Sequence, residues 1–223
     1  MYPAGNLFIP APHGRLEAIL KEPPEGLARG MALVLHPHPL GGGTMHNKVV
    51  VRAASALNDA GLITLRINFR GVGQSTGEHD EGRGELEDVR YGLNYLKEKY
   101  PNLDLLLCGF SFGARVGLEV GISDERVVGL ISIGTPLDKY DFSFLEACRK
   151  SILFVHGDRD EFGEVAKIKE MVAKLEPHTQ VQLSIIEGAG HFFEGHLDEL
   201  KQVIKEWVMK QLNQRADSPS PAV

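Results

Sequence analysis

Eight short apolar runs of strand length recur along the chain, near residues 6–10, 16–21, 31–36, 62–68, 103–108, 127–133, 151–156 and 181–187. From the third onward, most neighbours are separated by a segment whose apolar residues fall every three or four positions, the spacing of one helix face. Val50, Ala53, Ala54 and Leu57 make such a stripe, with Gly61 where a helix stop belongs. Leu86, Val89, Leu93 and Leu96 make a second, closed by Pro101, and Val165, Ile168, Met171, Val172 and Leu175 a third, ended by Pro177. The longest runs from Leu197 and Leu200 through Val203, Ile204, Trp207 and Val208 to Leu212. Strands alternating with helices imply parallel strands joined by crossovers, with helices on both faces of one twisted sheet. Only Ala11 to Gly14 separate the first two runs, too few residues for a crossover, so these two should pair antiparallel. The expected class is α/β, with a mostly parallel sheet of about eight strands. No linker or internal repeat divides the chain, so residues 1–214 are expected to form one domain, and the Ser- and Pro-rich segment from Arg215, 215–223, a disordered tail.

A length of 223 residues suits a single core of this kind. The net charge of −6, with no basic cluster, gives no electrostatic reason to expect nucleic acid or an anionic membrane as partner. No apolar stretch approaches the roughly 20 residues that span a bilayer. Met1 to Asn6 lacks the basic-then-apolar layout of a signal peptide. Cys108 and Cys148 fall where small buried hydrophobes fit and are expected to be free thiols. These features point to a cytoplasmic protein.

The candidate chemistry centres on Gly109-Phe110-Ser111-Phe112-Gly113, which lies between the apolar run Leu103–Cys108 and a helix opening at Ala114. A serine on a sharp strand-to-helix turn is exposed at the mouth of a sheet, the two glycines tolerating the strained backbone and close packing. A serine hydroxyl needs a base to take its proton and a third group to orient that base. Both partners have candidates after later strands: Asp158 or Asp160 after the run ending in His156, and His191 or His196 after the run ending near Ile186. Functional groups in open α/β sheets gather at the carboxyl ends of strands, where Ser111, Asp160 and His191 would all project. Asp158 could instead cap the turn, and His196 falls at the start of the last helix.

With these motifs, and with His36-Pro37-His38-Pro39-Leu40-Gly41-Gly42-Gly43 and Asn68-Phe69-Arg70-Gly71-Val72-Gly73-Gln74-Ser75 after the third and fourth strands, the chain resembles the α/β-hydrolase superfamily. It is similar to the small, cap-less, dienelactone-hydrolase-like bacterial serine hydrolases and carboxylesterases, from about residue 15 to residue 210. The resemblance implies Ser111 as nucleophile, His191 as general base and acid, and Asp160 as orienting carboxylate, in the order of that family. Dienelactone hydrolases proper carry cysteine where this chain has Ser111, which moves the expectation from lactones toward ordinary esters. The oxyanion of the reaction needs donors. The Phe112 N–H is one, and the second belongs to the loop after the third strand. Pro37 and Pro39 have no N–H, which leaves His38 or Leu40, and the resemblance favours His38.

Other readings compete at several points. His36, His38 and His46, or His156 with Asp158 and Asp160, could suggest zinc, but no complete ligand set is spaced as such sites require. Gly71 to Gly77 faintly resembles a dinucleotide loop, with its third glycine one position late and acidic sequence following. No metal and no cofactor are therefore expected. The acidic stretch Glu78–Asp88 reads as a solvated loop and first helical turn, with Arg70 as a candidate partner for one of its acids. Phe110, Phe112, Phe192 and Phe193 flank the proposed nucleophile and base. The 16 residues from 135 to 150 allow one short helix near 142–148 and no cap domain. The expected activity is hydrolysis of small, short-acyl carboxylic esters through an acyl-enzyme, with a small-molecule ester as partner. The same triad would serve an acyl-coenzyme A thioesterase or a peptidase. A non-catalytic protein retaining the fold would be marked by a degraded triad, whereas all three members stand here.

Overall fold

The structure is a computed structural model describing residues 6–216. Its strands are Asn6–Ala11 (β1), Gly14–Lys21 (β2), Gly30–Leu35 (β3), Leu62–Ile67 (β4), Leu105–Phe110 (β5), Val127–Ile133 (β6), Ser151–Gly157 (β7) and Val181–Ile186 (β8). Its helices are Lys48–Asp59 (α1), Arg83–Lys99 (α2), Phe112–Ser123 (α3), Val165–Leu175 (α4) and Leu197–Ala216 (α5). The strands form one sheet in the order β1-β2-β4-β3-β5-β6-β7-β8. β1 pairs antiparallel with β2 and β2 with β4, while all other pairs are parallel.

Period-two alternation sorts the strand residues between two cores. Met31, Leu33 and Leu35 of β3, with Leu105 and Leu107 of β5, face α2, α3 and α4. Ala32, Val34, Leu106 and Cys108 face α1 and α5 on the other side. The apolar stripes read from the sequence are the helix faces that cover these layers: Val50, Ala53 and Leu57 of α1 and Leu200, Ile204 and Trp207 of α5 on one side, Val89, Leu93 and Leu96 of α2 on the other. A fully buried leucine or phenylalanine of this kind stabilises the fold by roughly 2 kcal/mol. Cys108 and Cys148 are buried free thiols. No helix among the described residues is long and apolar enough to cross a membrane.

Between β6 and β7 there is only a 3-10 turn at Ser143–Ala147, so no separate cap covers the sheet. α5 continues through Ala216, two residues into the segment expected to be tail, and Arg215 pairs with Asp104 at 3.0 Å. Residues 217–223 of that segment lie outside the described residues.

The acidic stretch before and within α2 departs from expectation. Glu85 and Asp88 are fully buried, not solvated. Glu85 sits at the α2 N-terminus, where backbone N–H groups lack helical partners. It accepts the N–H of Asp80 (3.1 Å) and Gly82 (2.9 Å) and faces His79 Nδ1 at 2.7 Å. Asp88 accepts from the Arg70 backbone N–H and guanidinium, both at 2.8 Å, and faces His13 Nε2 at 3.1 Å. Each carboxylate is buried because several donors converge on it, which offsets its desolvation. Together they pin the loop from Arg70 to Gly82 beside the carboxyl end of the sheet. The strand order reverses between β3 and β5, so the loops leaving these two strands diverge and open a crevice there.

Candidate active site

Ser111 lies at that crevice, between β5 and α3. Its backbone is held at φ 56° and ψ −119°, a left-handed conformation rare for a residue with a Cβ. The surroundings enforce it: the Ser111 N–H donates to Ile133 O at 2.9 Å, and its carbonyl accepts from Ala114 N at 2.9 Å. The flanking glycines perform one of the two tasks expected of them, close packing, and not the other. The strain resides in Ser111, while Gly109 and Gly113 permit close approach. A Cβ on Gly109 would lie 2.3 Å from Gly113 O, and one on Gly113 would lie 2.6 Å from His36 O. The elbow is thus locked against α3 and against the end of β3. Strain of this kind costs about 1–3 kcal/mol. Ser111→Gly is therefore expected to be more stable than Ser111→Ala by about 1 kcal/mol in denaturant unfolding, after allowing for the entropy of glycine in the unfolded chain. An alanine variant as stable as the glycine one would show that the turn carries no such strain.

His191, from the loop between β8 and α5, points its Nε2 at Ser111 Oγ, 2.9 Å away. Its Nδ1 faces Asp160, at 3.0 Å from Oδ1 and 2.9 Å from Oδ2. Folding therefore brings together Ser111, His191 and Asp160, groups separated by 80 and 31 positions in the chain. The ring is almost fully buried. Phe162 stands edge-on to it with centroids 4.5 Å apart, and Phe110 lies against it at 5.0 Å. The His191 N–H donates to Glu161 Oε2 at 3.3 Å. Asp160 Oδ1 also accepts the Phe162 N–H at 2.8 Å, so the acid loop orients its own carboxylate.

The competing residues lie elsewhere. Asp158 accepts the Gly188 N–H at 2.7 Å and caps a turn at the surface. His196 stands at the start of α5, 3.6 Å from Glu199. In the loop after β3, the Leu40 N–H donates to His38 Nδ1 at 3.2 Å and the Leu40 side chain is exposed. The His38 ring packs 5.0 Å from Phe112 and 4.9 Å from His79, and burial with the neighbouring His79 lowers its pKa. Phe112 opens α3, where the first N–H groups have no helical acceptor. Of the four phenylalanines, Phe110, Phe112 and Phe193 are core residues, and Phe192 is exposed at the cavity rim.

His36 serves the scaffold. It is fully buried, its Nδ1 lies 2.6 Å from Pro37 O, and its Nε2 accepts the Phe69 N–H at 3.0 Å. It thereby ties the loops after β3 and β4 together. Burial lowers its pKa from 6.5 to about 4. The folded state favours the neutral ring, so the stabilisation is complete above pH 6.5 and is lost as pH falls toward 4. The full effect is about 3 kcal/mol. Denaturant midpoints should fall over that window in the wild type, and less steeply in His36→Asn. Equal slopes would remove His36 as the cause.

Among the described residues, no three His, Cys, Asp or Glu side chains gather into a group that could hold a metal ion. A cavity of about 320 Å³ opens over Ser111 and His191, walled by Gly42, Pro136, Tyr140, Phe162 and Phe192. Burial raises the Tyr140 pKa. Two other depressions, about 320 Å³ beside α4 and about 560 Å³ beside the start of α1, contain none of the three residues.

Sequence reasoning missed two contributors. A Cβ on Gly134, whose φ is +54°, would lie 3.2 Å from the His191 ring, so this glycine makes room for the imidazole. His156, buried beside Asp160, enters the sequence reading only as a candidate metal ligand. The strand-end positions of both were the available signal.

A family model for the alpha/beta hydrolase domain matches residues 30–215. An uncharacterized protein of Rickettsia prowazekii (strain Madrid E) is 37% identical over 92% of this chain and 88% of its own. An alpha-beta serine hydrolase homologue from Coxiella burnetii is 37% identical, with a TM-score of 0.85 over 92% of this chain and 98% of that one. A serine hydrolase without a lid from Xanthomonas campestris is 32% identical, with a TM-score of 0.82 over 99% of both chains. The chain belongs to the α/β-hydrolase family.

Proposed function

We propose that this protein is a serine carboxylesterase that cleaves small, short-acyl esters through an acyl-enzyme on Ser111. The observation that carries the reading is the hydrogen-bonded series Ser111 Oγ–His191 Nε2 and His191 Nδ1–Asp160, with every contact at 2.9–3.0 Å. His191 takes the Ser111 proton as Oγ attacks the ester carbonyl. The resulting oxyanion is stabilised by the Phe112 N–H and the His38 N–H, since the Leu40 N–H is engaged by His38 Nδ1. His191 then gives its proton to the leaving alkoxide. In the second half it takes a proton from water, hydroxide equivalent attacks the acyl carbonyl, and Ser111 recovers its proton as the acid departs. Asp160 holds the imidazole in the tautomer with hydrogen on Nδ1 and stabilises the imidazolium. None of these steps calls for a cofactor. The likeness to serine hydrolases of Coxiella and Xanthomonas supports the reaction class.

Fluorophosphonate probes phosphonylate an activated serine, its Oγ bonding to phosphorus as fluoride leaves, so native protein should be labelled and Ser111→Ala should not. Labelling of the alanine variant at wild-type level would refute the assignment. For the substrate, the lidless site and the cavity of about 320 Å³ favour short acyl groups. Acetyl and butyryl nitrophenyl esters should exceed the palmitoyl ester in kcat/KM by about 10²-fold or more, because the long chain does not fit the cavity and holds its carbonyl out of line with Ser111. Comparable rates across the series would overturn this preference.

A further inference from the structure

His156 lies near the end of β7, with no exposed surface, beside Asp160. Its Nε2 lies 2.6 Å from the Gly163 carbonyl, so that nitrogen carries the hydrogen and donates it. Its Nδ1 is buried without any hydrogen-bond partner and lies 3.8 Å from Asp160 Oδ2. That separation is too long for a hydrogen bond, so the ring is tied to the acid loop through Gly163.

Gly163 closes the loop after β7, and the three residues before it that touch His191 are Asp160, Glu161 and Phe162. The bond from His156 to Gly163 spans that loop from root to end. The fit is close: a Cβ on Gly163 would lie 2.5 Å from Thr135 O and 3.2 Å from His156 Cε1.

We propose that His156 is a positioning residue for this site: a buried histidine packed beside Asp160 that staples the acid loop through the bond from its Nε2 to Gly163 and so fixes the carboxylate opposite His191. The proposal rests on the esterase reading above. The charged and titratable groups around the ring are few. Asp160 faces it from its own loop, with His191 beyond that carboxylate. Glu161 turns to the His191 N–H, the segment after β6 approaches through the neutral Thr135 carbonyl, and Asp138 farther out is paired with Lys167.

Two substitutions isolate the staple. His156→Gln keeps a donor near the Nε2 position for Gly163. His156→Phe keeps a ring and removes the donor. His156 does not line the cavity, so KM should stay unchanged in each. The phenylalanine variant should lose about 10-fold or more in kcat, as a misplaced relay does, while the glutamine variant, which keeps the donor, should stay within a fewfold of wild type. A phenylalanine variant with wild-type kcat, or equal losses in the two variants, would overturn the proposal. Should either variant fail to fold, nitrogen-15 NMR of the wild-type His156 ring decides: hydrogen on Nε2 supports the proposal and a bare Nε2 overturns it. Activity surviving in Ser111→Ala would strike the esterase reading instead, and the NMR result would still judge the ring.

Discussion

Ser111→Ala is expected to lower kcat by roughly 10⁴-fold or more, with the circular dichroism spectrum and KM little changed. The hydroxyl is the atom that His191 Nε2 reaches at 2.9 Å, and among the described residues no other hydroxyl or thiol bonds that nitrogen: Cys108 is sealed in the core, where burial raises its pKa and keeps it protonated. Alanine keeps the Cβ and the backbone hydrogen bonds that hold φ at 56°, so the elbow should fold as before. What remains in the variant is the pocket with its oxyanion donors, which accounts for the residual rate of other triads lacking their nucleophile. Initial rates on nitrophenyl butyrate measure this directly. A variant within tenfold of wild type would mean that a different group attacks the ester.

Asp160→Asn should cost a similar factor, about 10⁴ in kcat, while Asp158→Asn should stay within a fewfold of wild type. The geometry gives the reason. Oδ1 accepts the Phe162 N–H at 2.8 Å, so an asparagine would keep its carbonyl oxygen there and turn its NH₂ toward the Oδ2 position, 2.9 Å from His191 Nδ1. That donor would force the hydrogen of His191 onto Nε2. The ring would then donate to Ser111 Oγ and could no longer accept its proton. At position 158 an asparagine oxygen can still accept the Gly188 N–H. Equal losses in the two variants, or a mild effect at 160, would defeat this account of the acid.

The local pattern foretold the strands and helices because each is a statement about neighbours a few residues apart. All eight apolar runs are strands, with ends shifted by no more than about two residues, the usual scatter of such boundaries. The antiparallel start followed from the short connection between β1 and β2. Other features were illegible for a common reason. Glu85 and Asp88 look like solvated acids until Arg70, His13 and His79 converge on them from other segments. Gly134 shows only its strand-end position, since its value lies in the ring of a residue 57 positions away, against which a Cβ would press. His156 resembles any strand-end histidine until Asp160 and Gly163 are folded around it.

The amino-acid order by itself determined the α/β alternation, the two-sided burial of the sheet, and the strand ends at which reactive groups gather, since hydrophobic periodicity and glycine-flanked turns act over short distances in the chain. Which acid meets His191, which backbone donors flank Ser111, and where the strain of the elbow resides were decided only in three dimensions. Those answers depend on strand register and loop closure between remote segments, where a displacement of one ångström separates a hydrogen bond from mere proximity.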